Sequence, residues 1–219
     1  MEALLNQIAD CIESGKAELN SPFPPELKGK EGAYELTKKA LDKKIHPDII
    51  LKQGFMVGMT KIGEKFEKGT AFIPNLLLSA KAMNRAMEHL HPFFESGEAK
   101  LTGTLVIGTV KGDLHDIGKN IVKMVMKGDG WNVIDLGVKV ESKQFLDEIK
   151  NHDKCIVGLS ALLTTTMMNM EEIINDIKNE FNGTEVFVGG AALSSQFAES
   201  IGSDGFFPDP HSFAKHFHK

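Results

Sequence analysis

The sequence predicts a helical amino-terminal region followed by an α/β region built on a parallel sheet. Up to about residue 95, apolar residues recur at helical spacing with almost no strand pattern. From Leu101 on, short β-branched runs alternate with amphipathic runs, which is the pattern of βαβ units. We therefore predict a helical domain over 1–96 and an α/β domain over 101–219.

Four amphipathic stretches predict four helices in the first domain. Their apolar stripes span Leu4–Ile12, Tyr34–Leu41, Ile49–Phe66 and Leu76–Leu90. The proline-rich residues 20–26 cannot continue a helix and predict a loop after the first stretch. Four helices with short connections predict an antiparallel four-helix bundle.

Five strands and five helices are predicted to alternate in the second domain. The strands are Thr104–Val110, Asn132–Leu136, Cys155–Leu159, Glu185–Val188 and Gly205–Phe207. The helices are Ile117–Lys127, Ser142–Asn151, Thr166–Glu180, Gln196–Ile201 and Ser212–His218. This pattern suits a flavodoxin-like or Rossmann-like doubly wound sheet of order 2-1-3-4-5, in which ligands bind at the carboxyl ends of the strands.

Composition restricts the partners and the compartment. A net charge of −5 without a basic block argues against nucleic-acid binding. Cys11 and Cys155 each lie in an apolar pattern, so a disulfide framework is not expected. The sequence has no signal-peptide pattern and no apolar stretch of membrane-spanning length. We expect a cytoplasmic protein with neither nucleic acid nor a membrane as partner.

The turn after the first predicted strand has an unusual composition, Gly112-Asp113-Leu114-His115-Asp116-Ile117-Gly118. A lone loop histidine usually faces solvent, but a carboxylate next to it can fix the tautomer and orientation of an imidazole that binds a metal. The two flanking carboxylates therefore favour a metal-centred cofactor. We favour Asp113 as the partner of His115, whereas Asp116 is either a second partner or the N-cap of the helix beginning at Ile117.

Two further loops follow predicted strands and converge on the same edge of the sheet. Residues 160–166 follow the third strand, and their hydroxyls either line a slot for a polar ligand or include a threonine N-cap. Gly189 and Gly190 follow the fourth strand and either form a tight turn or leave room for a flat ring system.

The three loops together resemble a known fingerprint. Asp-x-His-x-x-Gly ends at Gly118, Ser-x-Leu begins at Ser160, and Gly189-Gly190 follows. This resembles, in type and spacing, the cobalamin-binding fingerprint of corrinoid proteins and of cobalamin-dependent methionine synthase. Upstream, residues 63–74 resemble the helical cap motif of the same family. The resemblance covers roughly residues 49–210 and implies a cap domain followed by a cobalamin-binding domain.

The resemblance implies cofactor roles for individual residues. His115 would be the lower axial ligand of cobalt in place of the cofactor's own benzimidazole, with Asp113 as its hydrogen-bond partner and Thr166 as the next member of the relay. Phe66 and Ile73 match cap positions that shield a cobalt-bound methyl group. The remaining cofactor-binding positions are Gly112, Leu114, Asp116, Ile117 and Gly118 in the first loop, Ser160, Leu162 and Thr164 in the second, and Gly189, Gly190 and Pro210 beyond them.

The resemblance also implies a function. The implied function is that of a corrinoid carrier that binds cobalamin or a related corrinoid base-off/His-on. Such a carrier is not expected to turn over alone. A substrate:corrinoid methyltransferase would deliver a methyl group from a methylamine, methanol, betaine or aryl methyl ether to Co(I). A corrinoid:thiol or corrinoid:tetrahydrofolate methyltransferase would remove it from methyl-Co(III), and a reductive activation protein would restore Co(I).

Two other functions compete with the carrier. A cobalamin-dependent sensor or regulator has the same two domains, but an attached DNA-binding or signalling module is expected there. A flavodoxin-like receiver or flavin protein accounts for the predicted sheet, yet it explains neither His115 between two acids nor the cap motif.

Overall fold

The computed structural model describes residues 1–96 and 98–217. His218, at the end of the last predicted helix, and Lys219 therefore lie outside the described residues. The chain divides into two compact units. A helical unit comprises Met1–Thr102 together with Lys127–Gly130, and an α/β unit comprises Gly103–Met126 together with the chain from Trp131 onward.

The helical unit confirms the predicted helical amino-terminal region. Its helices are α1 (Glu2–Ser14), α2 (Ala33–Asp42), α3 (Pro47–Ile50), α4 (Met56–Glu67), α5 (Ile73–Met87) and α6 (His91–Glu95). The third predicted helix is α3 and α4 joined by a π-helical turn, Leu51–Phe55, and the fourth ends at Met87 instead of Leu90. The predicted loop 20–26 runs into a short 3₁₀ turn, Pro25–Leu27.

Glycine allows α1 and α4 to pack closely. A Cβ at Gly58 would lie 2.7 Å from the carbonyl oxygen of Ala9, and one at Gly54 would lie 3.2 Å from the side chain of Ile8. The backbone of α4 therefore rests directly on α1, whose Ile8 and Ile12 are fully buried. Any larger residue at position 58 would push the two helices apart.

The α/β unit confirms the predicted doubly wound sheet. Its strands are β1 (Thr104–Thr109), β2 (Asn132–Asp135), β3 (Ile156–Ser160), β4 (Val186–Gly189) and β5 (Gly205–Phe206). All pairings are parallel, and the order is β2-β1-β3-β4-β5. The helices are α7 (Ile117–Gly128), α8 (Ser142–Ile149), α9 (Thr164–Met167), α10 (Asn169–Glu180), α11 (Ser195–Ser200) and α12 (Pro210–His216).

The helix predicted over Thr166–Glu180 is two helices in the structure. The short α9 begins two residues earlier than predicted, and the chain turns at Met168 before α10 begins. The apolar stripe of α10 is buried against the sheet at Ile173, Ile174 and Ile177. This stripe is the periodic signal in the sequence, whereas the four residues of α9 carry no such stripe.

The register of the central strands places three loops at one level. Thr109, the last residue of β1, pairs with Ser160, the last residue of β3. Ser160 in turn pairs with Gly189, the last residue of β4. Because parallel strands end at the same edge of the sheet, the loops that follow β1, β3 and β4 leave the sheet side by side.

Candidate functional site

The centre of the site is the carboxylate of Asp113, which is fully buried in the loop after β1. Its Oδ1 accepts hydrogen bonds from the backbone N–H of His115, at 2.9 Å, and from Nδ1 of the same residue, at 2.7 Å. Its Oδ2 accepts from the hydroxyl of Thr166, at 2.6 Å, and from the N–H of Leu162, at 2.8 Å. The carboxylate therefore ties the first loop to the loop after β3.

These hydrogen bonds keep Asp113 ionised. Burial by itself would raise the pKa of the carboxyl group. The Thr166 hydroxyl, the N–H groups of His115 and Leu162, and the His115 side chain all stabilise the charged form and hold the pKa well below its usual range. The site thus contains a buried, ionised acceptor that contacts one ring nitrogen of His115.

His115 is held at one end and free at the other. Its side chain is 50% exposed, whereas that of Asp113 is 0% exposed. Since Asp113 accepts the proton on Nδ1, the imidazole takes the tautomer in which Nε2 carries a lone pair. Within the part of the chain that the structure describes, no hydrogen bond engages Nε2. The arrangement presents one imidazole nitrogen with its lone pair to the solvent, which is the form in which histidine binds a metal.

Asp116 does not contact the histidine ring. Its carboxylate accepts from the side-chain amide of Asn120, at 2.9 Å, and its backbone carbonyl accepts from the N–H of the same residue, at 2.7 Å. The carbonyl bond is the first of helix α7, so Asp116 occupies the start of that helix. Of the two flanking acids, the geometry joins only Asp113 to His115.

The short helix α9 places the Thr166 hydroxyl against Asp113. The alternative of a threonine N-cap is wrong, because the N-cap residue is Leu163 and its side chain makes no capping bond. The Thr166 hydroxyl is buried and points to Asp113, while Thr164 is exposed. One turn of helix after Leu163 brings Thr166 back beneath the first loop.

The surface around His115 is apolar. Ile117 is 72% exposed and Leu114 is 60% exposed, on either side of the histidine in the first loop. Leu162, Leu163 and Met168 are also exposed, on the facing loop and the turn after α9. The backbone N–H of Leu162 is bound inward by Asp113 while its side chain faces out. Apolar side chains gathered around a polar group in this way are typical of a ligand-binding surface.

The glycines of the fingerprint differ in their surroundings. A Cβ at Gly118 would meet nothing within 4 Å, so this position borders open space. At Gly190, where φ is +139°, a Cβ would lie 1.8 Å from the carbonyl oxygen of Ala161. Packing against the loop after β3 therefore requires glycine at position 190 by itself, which agrees with the tight-turn alternative.

The other predicted site residues make no hydrogen bond to the Asp113 carboxylate among the described residues. Ser160 ends β3, and its carbonyl accepts from Val110 N–H at 3.0 Å. Gly112, at φ +81°, makes the turn before Asp113, and Gly189 ends β4. Pro210 is the first residue of α12, which Asp209 caps.

The sequence reasoning missed a charged cluster beside the site. The ammonium groups of Lys119 and Lys123, on α7, both contact the carboxylate of Asp135 at the end of β2. Burial would raise the pKa of Asp135, but the two lysines lower it to about 2. Lys119 is 3% exposed, so this cluster anchors the amino-terminal half of α7 to the sheet. The sequence signal for this cluster is the spacing of Lys119 and Lys123, which are four residues apart and therefore lie on one face of α7.

The two residues predicted to form the cap, Phe66 and Ile73, lie in the helical unit. Phe66 is half-buried near the end of α4, and Ile73 is exposed at the start of α5, with Gly69 at φ +69° in the turn between them. Phe72, which the sequence reasoning did not select, is the most exposed of the apolar side chains in this turn at 67%. Leu77, one turn into α5, is exposed as well.

Models of two protein families match the chain, and both are described as a B12 binding domain. One matches residues 103–210 and the other matches residues 29–91. The first covers the sheet and its loops, and the second covers most of the helical unit.

Named relatives share much of the sequence. Trimethylamine corrinoid protein 1 of Methanosarcina acetivorans is 40% identical over 178 residues, which are 80% of this chain and 82% of the relative. Dimethylamine corrinoid protein 3 of the same organism is 34% identical over 206 residues, which are 93% of this chain and 90% of the relative.

A solved structure shares the fold. A chain of the methanol:cobalamin methyltransferase complex MtaBC from Methanosarcina barkeri superposes with a TM-score of 0.79 at 27% identity. The match covers 97% of this chain and 77% of that chain.

Proposed function

The chain belongs to the family of corrinoid proteins with a B12 binding domain, and from that premise we propose that it carries a methyl group, on a corrinoid bound base-off/His-on, between two methyltransferases. The observation that carries the proposal is the half-exposed imidazole of His115, with Nδ1 paired to buried Asp113 and Nε2 unengaged among the described residues. The corrinoid, when bound, supplies the cobalt centre that accepts and releases the methyl group.

The residues at the site fit such a cofactor. An imidazole nitrogen is a suitable cobalt ligand, and a carboxylate behind the ring is the usual means of orienting it. The exposed apolar side chains of Leu114, Ile117 and Leu162 offer a surface for the face of a large ring. The open space at Gly118 leaves room where the cofactor's tail would enter beside α7.

Each residue of the relay has a task in this proposal. Asp113 fixes the tautomer of His115 and increases the basicity of Nε2. Thr166 and the N–H of Leu162 hold the carboxylate in place and keep it charged. The backbone bond from His115 to Asp113 fixes the loop itself, so the ring is oriented before any metal arrives.

The fingerprint positions after β3 and β4 would receive the nucleotide tail. Ser160 and Thr164 offer hydroxyl groups, and Gly189 keeps the space above β4 free of a side chain. Gly112 and Gly190 shape the two loops, and Pro210 starts the helix that follows the last strand. Asp116 holds the first turn of α7 through Asn120.

The helical unit would act as a cap over the upper face of the cofactor. Phe66 and Ile73 would exclude water from the methyl group, and exposed Phe72 extends the same apolar surface. A cap must move aside for each partner enzyme, which is a rearrangement of domains and not a chemical step.

The relatives support a carrier over a sensor and indicate the class of methyl donor. Two are named as corrinoid proteins of trimethylamine and dimethylamine, so we propose a methylated amine as donor, delivered by a substrate:corrinoid methyltransferase. A corrinoid:thiol or corrinoid:tetrahydrofolate methyltransferase would take the methyl group. A reductive activation protein would reduce the oxidised cofactor back to Co(I).

Ligation by His115 is tested by spectroscopy on the reconstituted protein. We expect about one cobalamin per chain, and a nitrogen splitting in the Co(II) resonance spectrum that changes when the protein's histidines are labelled with ¹⁵N. The variant His115→Ala should lose this splitting. His152→Ala is the matched control, because His152 belongs to the same unit but pairs with Glu148 on α8. A label-sensitive splitting that persists in His115→Ala would contradict the proposal.

A further inference from the structure

Thr109 is fully buried at the end of β1, and its hydroxyl reaches the loop that carries His115. Its Oγ1 donates a hydrogen bond to the backbone carbonyl of His115 at 3.1 Å. A buried hydroxyl group needs a hydrogen-bond partner. Valine has the same shape as threonine, suits a buried strand position and needs no such partner. The threonine therefore provides a bond that strand packing does not call for.

The backbone of Thr109 is rigid, so its hydroxyl has a fixed direction. Its N–H donates to the carbonyl of Gly137 at 3.0 Å, and its own carbonyl accepts from Val140 N–H at 2.9 Å. On its other side it pairs with Ser160 of β3. The strand end is thus held from both neighbours, and the hydroxyl is the one group of Thr109 that reaches His115.

Three bonds then hold the histidine, and each restrains a different part of it. Asp113 Oδ1 holds the N–H of His115 and, through Nδ1, the plane of its ring. Thr109 holds the carbonyl on the other side of the Cα atom. Without that third bond the peptide group after His115 can rotate, and the half-exposed side chain moves with it.

We propose that Thr109 is a positioning residue for His115, and that its hydroxyl strengthens binding of the imidazole to cobalt by ordering the ligand in advance. The inference rests on the proposed function, since it concerns the same ligand. Ordering a ligand before it binds removes part of the entropic cost of binding. One hydrogen bond of this kind corresponds to about a two- to tenfold stronger bond from histidine to cobalt.

The test compares Thr109→Val, which keeps the shape and removes the hydroxyl, with Thr109→Ser, which keeps the hydroxyl and removes a methyl group. The readout is the Co(II)/Co(I) midpoint potential of the cobalamin-loaded protein, because histidine stabilises Co(II) but does not bind Co(I). Weaker ligation in Thr109→Val should raise this potential by about 20 to 60 mV, as one-electron reduction converts tenfold into 59 mV. Thr109→Ser should keep the native potential.

The melting temperature of the apo-protein separates positioning from packing. Thr109→Ser leaves a small cavity at a fully buried position and should melt lower than the native protein. If packing alone mattered, the serine variant would also have the more altered potential, which would overturn the inference.

His115→Ala separates this inference from the function on which it rests. If His115→Ala shifts the potential upward and Thr109→Val leaves it native, the role of Thr109 is wrong and His115 remains the ligand. If His115→Ala leaves the potential unchanged, the ligand assignment is wrong and the role of Thr109 falls with it.

Discussion

At the scale of single residues, the site depends on the charged carboxylate of Asp113, which is buried where an unpaired charge would be unfavourable. Asp113 has no exposed surface, and burying an unpaired carboxylate costs several kcal/mol. Hydrogen bonds from His115, Leu162 and Thr166 offset this cost only while all of them are made. The buried charge therefore makes the position of the histidine loop and of the loop after β3 depend on each other.

Asp113→Asn should damage both the fold and the site. An amide placed at Oδ2 turns a donor toward Leu162 N–H and Thr166, so at least one buried donor loses its partner, at a cost of about 1–3 kcal/mol. Loss of the carboxylate behind a metal-bound histidine typically lowers affinity or activity by about 10- to 100-fold. Urea unfolding of the apo-protein and cobalamin titration measure the two effects.

Asp116→Asn is the matched control for that substitution. Asp116 lies three residues away, is partly exposed, and its carboxylate accepts a hydrogen bond from Asn120. We expect stability to change by no more than about 0.5 kcal/mol, and cobalamin affinity to remain native within a few-fold. A larger loss in Asp116→Asn than in Asp113→Asn would show that the wrong aspartate has been assigned to the ring.

At the scale of elements, loops fixed by backbone contacts support the ligand-binding edge. The carbonyl of Asp113 accepts from Lys139 N–H at 3.1 Å, and Lys139 adopts a left-handed φ of +56° to make this bond. The loop after β2 thereby supports the loop after β1, just as the loop after β3 does through Leu162. Backbone bonds therefore act together with the Asp113 and Thr166 side chains to hold these loops at the edge of the sheet.

Two glycines of the fingerprint should respond to alanine in opposite ways. Gly190→Ala forces a Cβ to within 1.8 Å of the Ala161 carbonyl at a positive φ, so the apo-protein should lose several kcal/mol of stability or fail to fold. Gly118→Ala lies in helix α7 facing open space, so the apo-protein should melt at the native temperature or higher, since alanine favours a helix by up to about 1 kcal/mol.

Cobalamin binding, unlike stability, should be affected by Gly118→Ala. If the space at Gly118 belongs to the corrinoid, the added methyl group of Gly118→Ala should weaken cobalamin binding in a protein that is otherwise native. Circular dichroism melting and a cobalamin titration on the same samples test this. Native affinity in Gly118→Ala would remove Gly118 from the binding surface.

The sequence predicted the strands because hydrophobic runs mark them, and their alternation with helices then favoured the doubly wound order that the structure shows. The runs at Thr104–Val110 and Cys155–Leu159 are uninterrupted and largely apolar, and the observed strands lie within one residue of them. Helix α9 was not separated from α10, because its four residues carry no periodic stripe and Thr166 is bound by a residue far away in sequence. Long-range bonds of this kind leave no local pattern.

The same limit applies to the site. The neighbours of His115 in sequence identified Asp113, and the family resemblance identified Thr166. The bond from Thr109 and the requirement for glycine at position 190 depend on which backbone atoms approach after folding. Neither could be read from residue types, because threonine in a strand and glycine in a loop are both ordinary.

At the scale of the whole molecule, the chain combines two units with different apolar surfaces. The α/β unit exposes leucine, isoleucine and methionine side chains around His115, and the helical unit exposes Phe72, Ile73 and Leu77. No helix among the described residues has the length and apolar character needed to cross a membrane. Exposed apolar surface of this kind is typical of a site that is covered when its ligand or partner is bound.

The role of the helical unit as a cap is tested by light. Methylcobalamin loses its methyl group on illumination, and a closed apolar cage returns the radical to cobalt before it escapes. Phe72→Ala and Ile73→Ala remove exposed side chains at the start of α5, so neither should destabilise the apo-protein by more than about 0.5 kcal/mol. Both should accelerate photolysis of the bound cofactor several-fold, while cobalamin affinity stays native within a few-fold.

Val57→Ala is the control for the cap, because Val57 is an exposed apolar residue of α4 about half a helical turn in angle from Phe66. It should photolyse at the native rate, as it removes apolar surface from the same unit but away from the turn. If Phe72→Ala, Ile73→Ala and Phe66→Ala all photolyse at the native rate as well, the helical unit does not shield the methyl group. Its exposed turn would then have to serve the partner methyltransferases directly, and the same three variants would slow methyl transfer from the loaded protein without any change in photolysis.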